Sequence, residues 1–82
     1  MTPWNLAWSS QAEADLRTIH WDTAGRIDAA LMRLAETGEG TLRKVVLHDR
    51  VWSALLLWPY AALVTRDKAA RTIFVWRVVR YA

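Results

Sequence analysis

The 82-residue sequence predicts an α+β fold in the order β-α-α-β-β-β(-β), a two-helix hairpin packed on a twisted, mainly antiparallel sheet. Three observations predict it. A short alternating segment opens the chain, two acidic segments with helical periodicity follow, and the remainder is a series of branched and aromatic runs divided by turn residues.

In "WNLAWS", Trp4, Leu6 and Trp8 alternate with smaller or polar residues, the period of a half-buried strand. Ser10 and Glu13 have capping-box spacing, so a first helix is expected there with Ala12, Leu16 and Ile19 on its inner face. "HWDTAGR" then makes a corner, with Asp22 or Thr23 as the next cap. The second helix is expected over about 23–37, where Ile27, Ala30, Leu31 and Leu34 form an amphipathic stripe. Gly25 weakens its first turn, and Gly38 with Gly40 ends it. "TLRKVVLH", "VWSALLLW", "YAALVTR" and "TIFVWRVVR" read as strands, separated by "HDR", a turn at Pro59 and "DKAAR". Several are apolar on both faces, so they are covered on both sides or leave one face for a partner.

Length and composition fit one domain, 1–82, with 54% hydrophobic residues for its core. The absence of cysteine excludes disulfides and thiolate metal sites. Met1 to Ser9 has neither the basic start nor the apolar core of a leader, and the apolar run Val51 to Thr65 is too short to span a bilayer. A cytoplasmic protein without membrane partners is expected. The net charge of +3 is unevenly distributed: residues 1–40 carry six acidic and three basic side chains, and residues 41–82 carry eight basic and two acidic. A polyanion or an acidic protein segment would be drawn to the second half. This second half is expected to form a curved, cationic palm backed by the acidic helices.

Few motifs carry chemistry. His20 and His48 are far apart and lack ligand-spaced carboxylates, so they read as surface or turn residues, and no metal or cofactor is expected. Ser9 and Ser10 suit helix capping better than nucleophilic catalysis. Of the six tryptophans, Trp4, Trp8 and Trp76 are expected in the core, whereas Trp52 and Trp58 suit a contact surface.

Taken in order, these segments resemble the RelE/ParE superfamily of toxins. "WSSQAEADLRTI" is similar to the opening of that family, with its A-x-x-D-L pattern on the first helix. "RIDAALMRLAETGEG" resembles its second helix, and "RVWSALLLWPYAALVTRDKAARTIFVWRVVR" resembles its hairpin and basic last strand. The similarity spans about residues 6–81. It implies the toxin of a type II toxin–antitoxin module, of the kind associated with plasmid stabilization, bound by a cognate acidic antitoxin. It further implies a ribosome-dependent mRNA interferase or a disabled form of one. The alternatives are a non-enzymatic inhibitor of DNA gyrase and a bare antitoxin-binding module of the same fold. Uncovered apolar strands also raise the expectation of a homodimer.

The cleavage chemistry of that family needs no metal. A 2′-hydroxyl attacks the neighbouring phosphate, and arginine, lysine and tyrosine share proton transfer and charge stabilisation. The resemblance places the family arginine at Ala61, and the basic pair of the preceding strand near Trp52 and Ala54, where this chain has no charge. Arg77, Arg80 and Tyr81 remain as catalytic candidates, and Ala82 ends the sequence before the terminal tyrosine of some relatives. Arg43, Lys44, Arg50 and Trp52 are the expected RNA- or partner-binding residues. Two readings of Ala61 stand open: it is native to a non-cutting member, or it replaces an arginine so that the toxin does not kill its host. If Ala61 faces the groove, as the resemblance implies, strand alternation puts Leu63 and Thr65 on the same face and Tyr60, Ala62 and Val64 toward the helices. Arg77 interrupts an apolar row of Ile73, Val75 and Val79 and calls for an anionic partner, a phosphate or an antitoxin carboxylate.

Overall fold

The computed structural model describes residues 3–82; Met1 and Thr2, where the reading for a leader begins, lie outside the described residues. Strand β1 (Asn5–Trp8) leads into helices α1 (Ser10–Arg17) and α2 (Trp21–Thr37). Four strands follow: β2 (Leu42–Leu47), β3 (Arg50–Leu57), β4 (Tyr60–Asp67) and β5 (Thr72–Arg80). They form one sheet in the order β1-β5-β4-β3-β2. β1 lies parallel to β5, and the other three pairings are antiparallel. The expected element order is observed, including the fourth strand after the helices.

Both helices pack on the same face of the sheet. Ala12 of α1 and Ile27, Leu31, Leu34 and Ala35 of α2 bury against Leu55, Ala62, Val64, Ile73, Val75 and Val78. Leu16, Ile19 and Ala30 flank this core, as helical spacing requires. The chain leaves α2 through Gly38, whose φ of 77° lies in the left-handed region, and the Gly38 N–H donates to the Leu34 carbonyl at 2.9 Å. At the far end of the sheet, His48 and Asp49 both take positive φ, 52° and 61°, in the two-residue turn joining Leu47 to Arg50. Positive φ at both central positions matches the right-handed twist of the flanking strands.

The helix starts differ from the expected ones. The N-cap of α1 is Ser9, not Ser10, and that of α2 is His20, not Asp22 or Thr23. Ser9 Oγ accepts from the Ala12 N–H at 3.0 Å and donates to the Trp76 carbonyl at 2.7 Å. His20 Nδ1 accepts from the Asp22 N–H at 3.3 Å. Tertiary contact decides between the serines, because only Ser9 also lies within reach of β5. Ser9→Ala should therefore cost about 1–2 kcal/mol, the usual range for a lost cap, while Ser10→Ala should stay within about 0.5 kcal/mol. Paired urea titrations of the two variants measure the difference, and equal losses would contradict the assignment.

Among the described residues, the register of the sheet shifts once, between β4 and β5. Leu63 pairs with Arg77 and Val64 with Val75, leaving Trp76 as the extra residue of a β-bulge. The bulge corrects two expectations. The row of Ile73, Val75 and Val79 divides: Ile73 and Val75 join the helix-side core, and Val79 packs on the opposite face. Trp76 is not a core residue but 42% exposed, whereas Trp4 and Trp8 are half-buried against the core.

Candidate functional site

The face of the sheet opposite the helices is open. Its floor is Ala54, Ala61 and Leu63, all buried, surrounded by Val45, Trp52, Leu56 and Val79. No helix lies over this floor; neighbouring strand side chains cover it. Above it is a groove of 270 Å³ bordered by Arg43, Leu47, Leu56, Val79 and Tyr81. Ala61 and Leu63 face the groove, while Tyr60, Ala62 and Val64 turn to the helix side, as alternation requires. Ala61 sits between Leu56 of β3 and Val79 of β5 and is 4% exposed. Position 61 is therefore central on the floor, and alanine leaves it uncharged.

The cations are placed around this floor rather than across it. Arg43 of β2 pairs in register with Ala54 and borders the groove. Lys44, the next residue along the strand, falls on the other face. Arg50 opens β3 beside a second hollow. Arg66 borders a different cleft with Trp4, Leu34 and Ile73. Arg80 Nε donates to the Ala82 carbonyl at 2.8 Å. The expected cationic palm is thus an apolar floor with arginines on its rim. Charge counted along the chain says nothing about which face of a strand carries it.

Arg77 has a partner within the molecule. Its Nε donates to Asp15 Oδ2 at 2.8 Å and a terminal nitrogen to Oδ1 at 3.2 Å, a two-point contact between β5 and α1. The Val78 N–H donates to the same Asp15 Oδ2 at 2.9 Å. Beyond Val75, β5 has no β1 residue beside it, and Asp15 satisfies the backbone donor that this leaves. Burial pushes the Asp15 carboxyl up, but the Arg77 and Val78 hydrogen bonds and the Arg77 charge outweigh it and hold the pKa below its ordinary value. The Arg77 guanidinium is raised correspondingly, chiefly by the hydrogen bond it donates to Asp15. The A-x-x-D-L pattern contains Asp15 without marking a role for it; the signal in the sequence is an aspartate close to the inner face of a short helix.

The second hollow, 280 Å³, is bordered by Arg50, Val51, Trp52, Thr65 and Trp76. Trp52 and Trp76 meet edge to face with ring centroids 6.4 Å apart, and Phe74 lies 6.0 Å from Trp76. Trp76 Nε1 donates to Thr65 Oγ1 at 2.7 Å, and Trp52 Nε1 to the Leu47 carbonyl at 3.3 Å. Trp58, the other expected contact residue, is exposed in the β3–β4 turn, away from both hollows. Among the described residues, no group of three or more His, Cys, Asp or Glu side chains is placed to hold a metal ion. Among them also, no helix is long and apolar enough to cross a membrane.

A helical hairpin closing one face of a five-stranded mixed sheet is a fold this chain shares with solved RelE toxin structures. The chain of the RelBE2 toxin–antitoxin complex from Mycobacterium tuberculosis superposes with a TM-score of 0.83 at 15% identity, over 98% of this chain and 93% of that one. The archaeal RelE–RelB complex from Pyrococcus horikoshii gives 0.80 at 9% identity, over 99% and 98%. The intact E. coli RelBE toxin–antitoxin complex gives 0.61 at 13% identity, over 94% and 95%. No protein-family model and no curated protein matches the sequence. The likeness lies in the fold, and it runs nearly end to end.

Proposed function

We propose that this chain is the toxin of a type II toxin–antitoxin module, held by an acidic antitoxin and directed at the ribosome and its mRNA. The observation that carries the reading is the open sheet face, apolar on its floor and rimmed by arginine, on a fold shared over almost its whole length with toxins solved in complex with antitoxins. Antitoxin binding needs apolar area and a few charges, and this face has both.

Cleavage asks for more. Attack of a 2′-hydroxyl on the adjacent phosphate builds negative charge that only preorganised donors and cations stabilise. Arg80 and Tyr81 take that task, with Arg43 and Arg50 in binding roles; Arg77 is held by Asp15, and Lys44 falls on the other face of its strand. Without a cation at position 61, charge developing over the centre of the groove meets alanine. The chain accordingly acts as a ribosome-binding toxin with a disabled cleavage step.

Two measurements test this. The chain should sediment with ribosomes at low salt and be released as salt rises. With about three arginine–phosphate contacts, affinity for RNA should fall on the order of tenfold between 50 and 200 mM salt. Pulse-labelling after induction should show protein synthesis affected before DNA synthesis. Absence from ribosomes at low salt, together with an early block in DNA synthesis, would overturn the ribosomal target.

A further inference from the structure

We propose that the hollow bordered by Trp52 and Trp76 is a stacking site for one base of single-stranded RNA, with Arg50 taking the adjoining phosphate. The inference rests on the ribosome-directed reading above and adds to it a subsite at the far end of the open face from Tyr81.

Three observations converge on the hollow. First, both indole N–H groups are already bonded within the protein, Trp76 to Thr65 and Trp52 to the Leu47 carbonyl. The rings are held in place, so a ligand need not supply those bonds or pay to order flexible side chains. Second, Trp76 is the inserted residue of the bulge between β4 and β5 and remains 42% exposed, although the strand pattern around it is that of a core strand. Alternation from Val75, a helix-side core residue, turns this ring to the open face, where it lies beside Trp52 and Thr65. Third, Arg50 borders the hollow and makes no ion pair among the described residues.

The chemistry of the hollow selects a base over a peptide segment. At 280 Å³ it is below the usual range for a drug-sized ligand and suits a single flat ring system. Its walls are aromatic, its polar groups are the Thr65 hydroxyl and the Arg50 guanidinium, and it has no carboxylate to repel a phosphate. Base–aromatic stacking tolerates any base, because each presents a π-face. The neighbouring 270 Å³ groove, with aliphatic walls, is the better surface for protein side chains.

The test uses the intact chain and a six-nucleotide single-stranded RNA carrying one 4-thiouridine. Irradiation of the complex should cross-link the RNA to the peptides holding Trp52 or Trp76. Trp76→Ala should weaken RNA binding about fivefold to a hundredfold, and Trp76→Phe should recover most of it. Trp58→Ala, altering an exposed tryptophan outside the hollow, should have no effect. Thermal melts of each variant separate loss of binding from loss of fold, and the cross-link on the unaltered chain stands even if Trp76→Ala unfolds. Cross-links mapping elsewhere, no RNA binding, or equal affinity in folded Trp76→Ala would each overturn the proposal. Ribosome sedimentation retained in folded Trp76→Ala alongside unchanged RNA affinity would sink the stacking site and leave the ribosomal target standing.

Discussion

Ala61→Arg should arrest growth when expressed without an antitoxin and raise RNA cleavage on the ribosome by about a hundredfold or more, the scale attached to one preorganised donor at a developing charge. Position 61 lies between Leu56 and Val79 on the groove floor, so an arginine stem there can lie along aliphatic walls while its guanidinium stays in water. The apolar stem replaces no polar contact, and Ala61 has no neighbour on the helix side to displace. Ala61→Gln, similar in reach but uncharged, should leave growth unchanged. Toe-printing of mRNA on ribosomes, scored beside growth, is the direct measurement. A folded Ala61→Arg variant that neither cuts nor arrests would show that the missing arginine is not what separates this chain from a cutting toxin. The non-cutting reading of the sequence would then hold.

Asp15→Ala should destabilise the fold by about 2–3 kcal/mol, lowering the melting temperature on the order of 10 °C. Three hydrogen bonds end on this carboxylate, two from Arg77 and one from the Val78 N–H. The Arg77 side chain is 46% exposed and Asp15 18%, so the ion pair itself contributes little and most of the loss is the buried backbone donor left without a partner. The pH dependence has a definite sign. The folded pKa of Asp15 is depressed, so its contribution is complete above the unfolded value, near 4, and is lost as pH falls through the folded value. The stability gap between the parent and Asp15→Asn should therefore narrow in acid and reach its full size by about pH 5–6. Urea midpoints across that range decide it. A gap independent of pH would mean that Asp15 is held by something other than its charge.

The sequence made the element order legible because its signals are local. Ile27, Leu31 and Leu34 bury as their spacing requires, Gly38 ends the second helix in the left-handed conformation, and Ala61 and Ala62 take opposite faces. What was not legible depended on partners distant in the chain. Ser9 outcompetes Ser10 because the Trp76 carbonyl is 67 residues away in sequence but adjacent in space. The phase of β5 changes at the bulge, so a period-2 reading carried from Ile73 and Val75 past Trp76 puts Val79 on the wrong face. Arg77 was correctly seen to need an anion, but the anion is Asp15, 62 residues earlier. The cations of the second half do not share one surface, because strand alternation separates Arg43, on the groove, from Lys44.

The grip of the first helix on the last strand has one more consequence. Between them, Ser9 and Asp15 occupy the main-chain groups of Val75, Trp76 and Val78 that face away from β4. That margin of the sheet is sealed, and β1 extends it by four residues only. β2, six residues long with Val46 and Leu47 uncovered, is the longer margin, so growth of the sheet by a visiting strand is asymmetric from the outset.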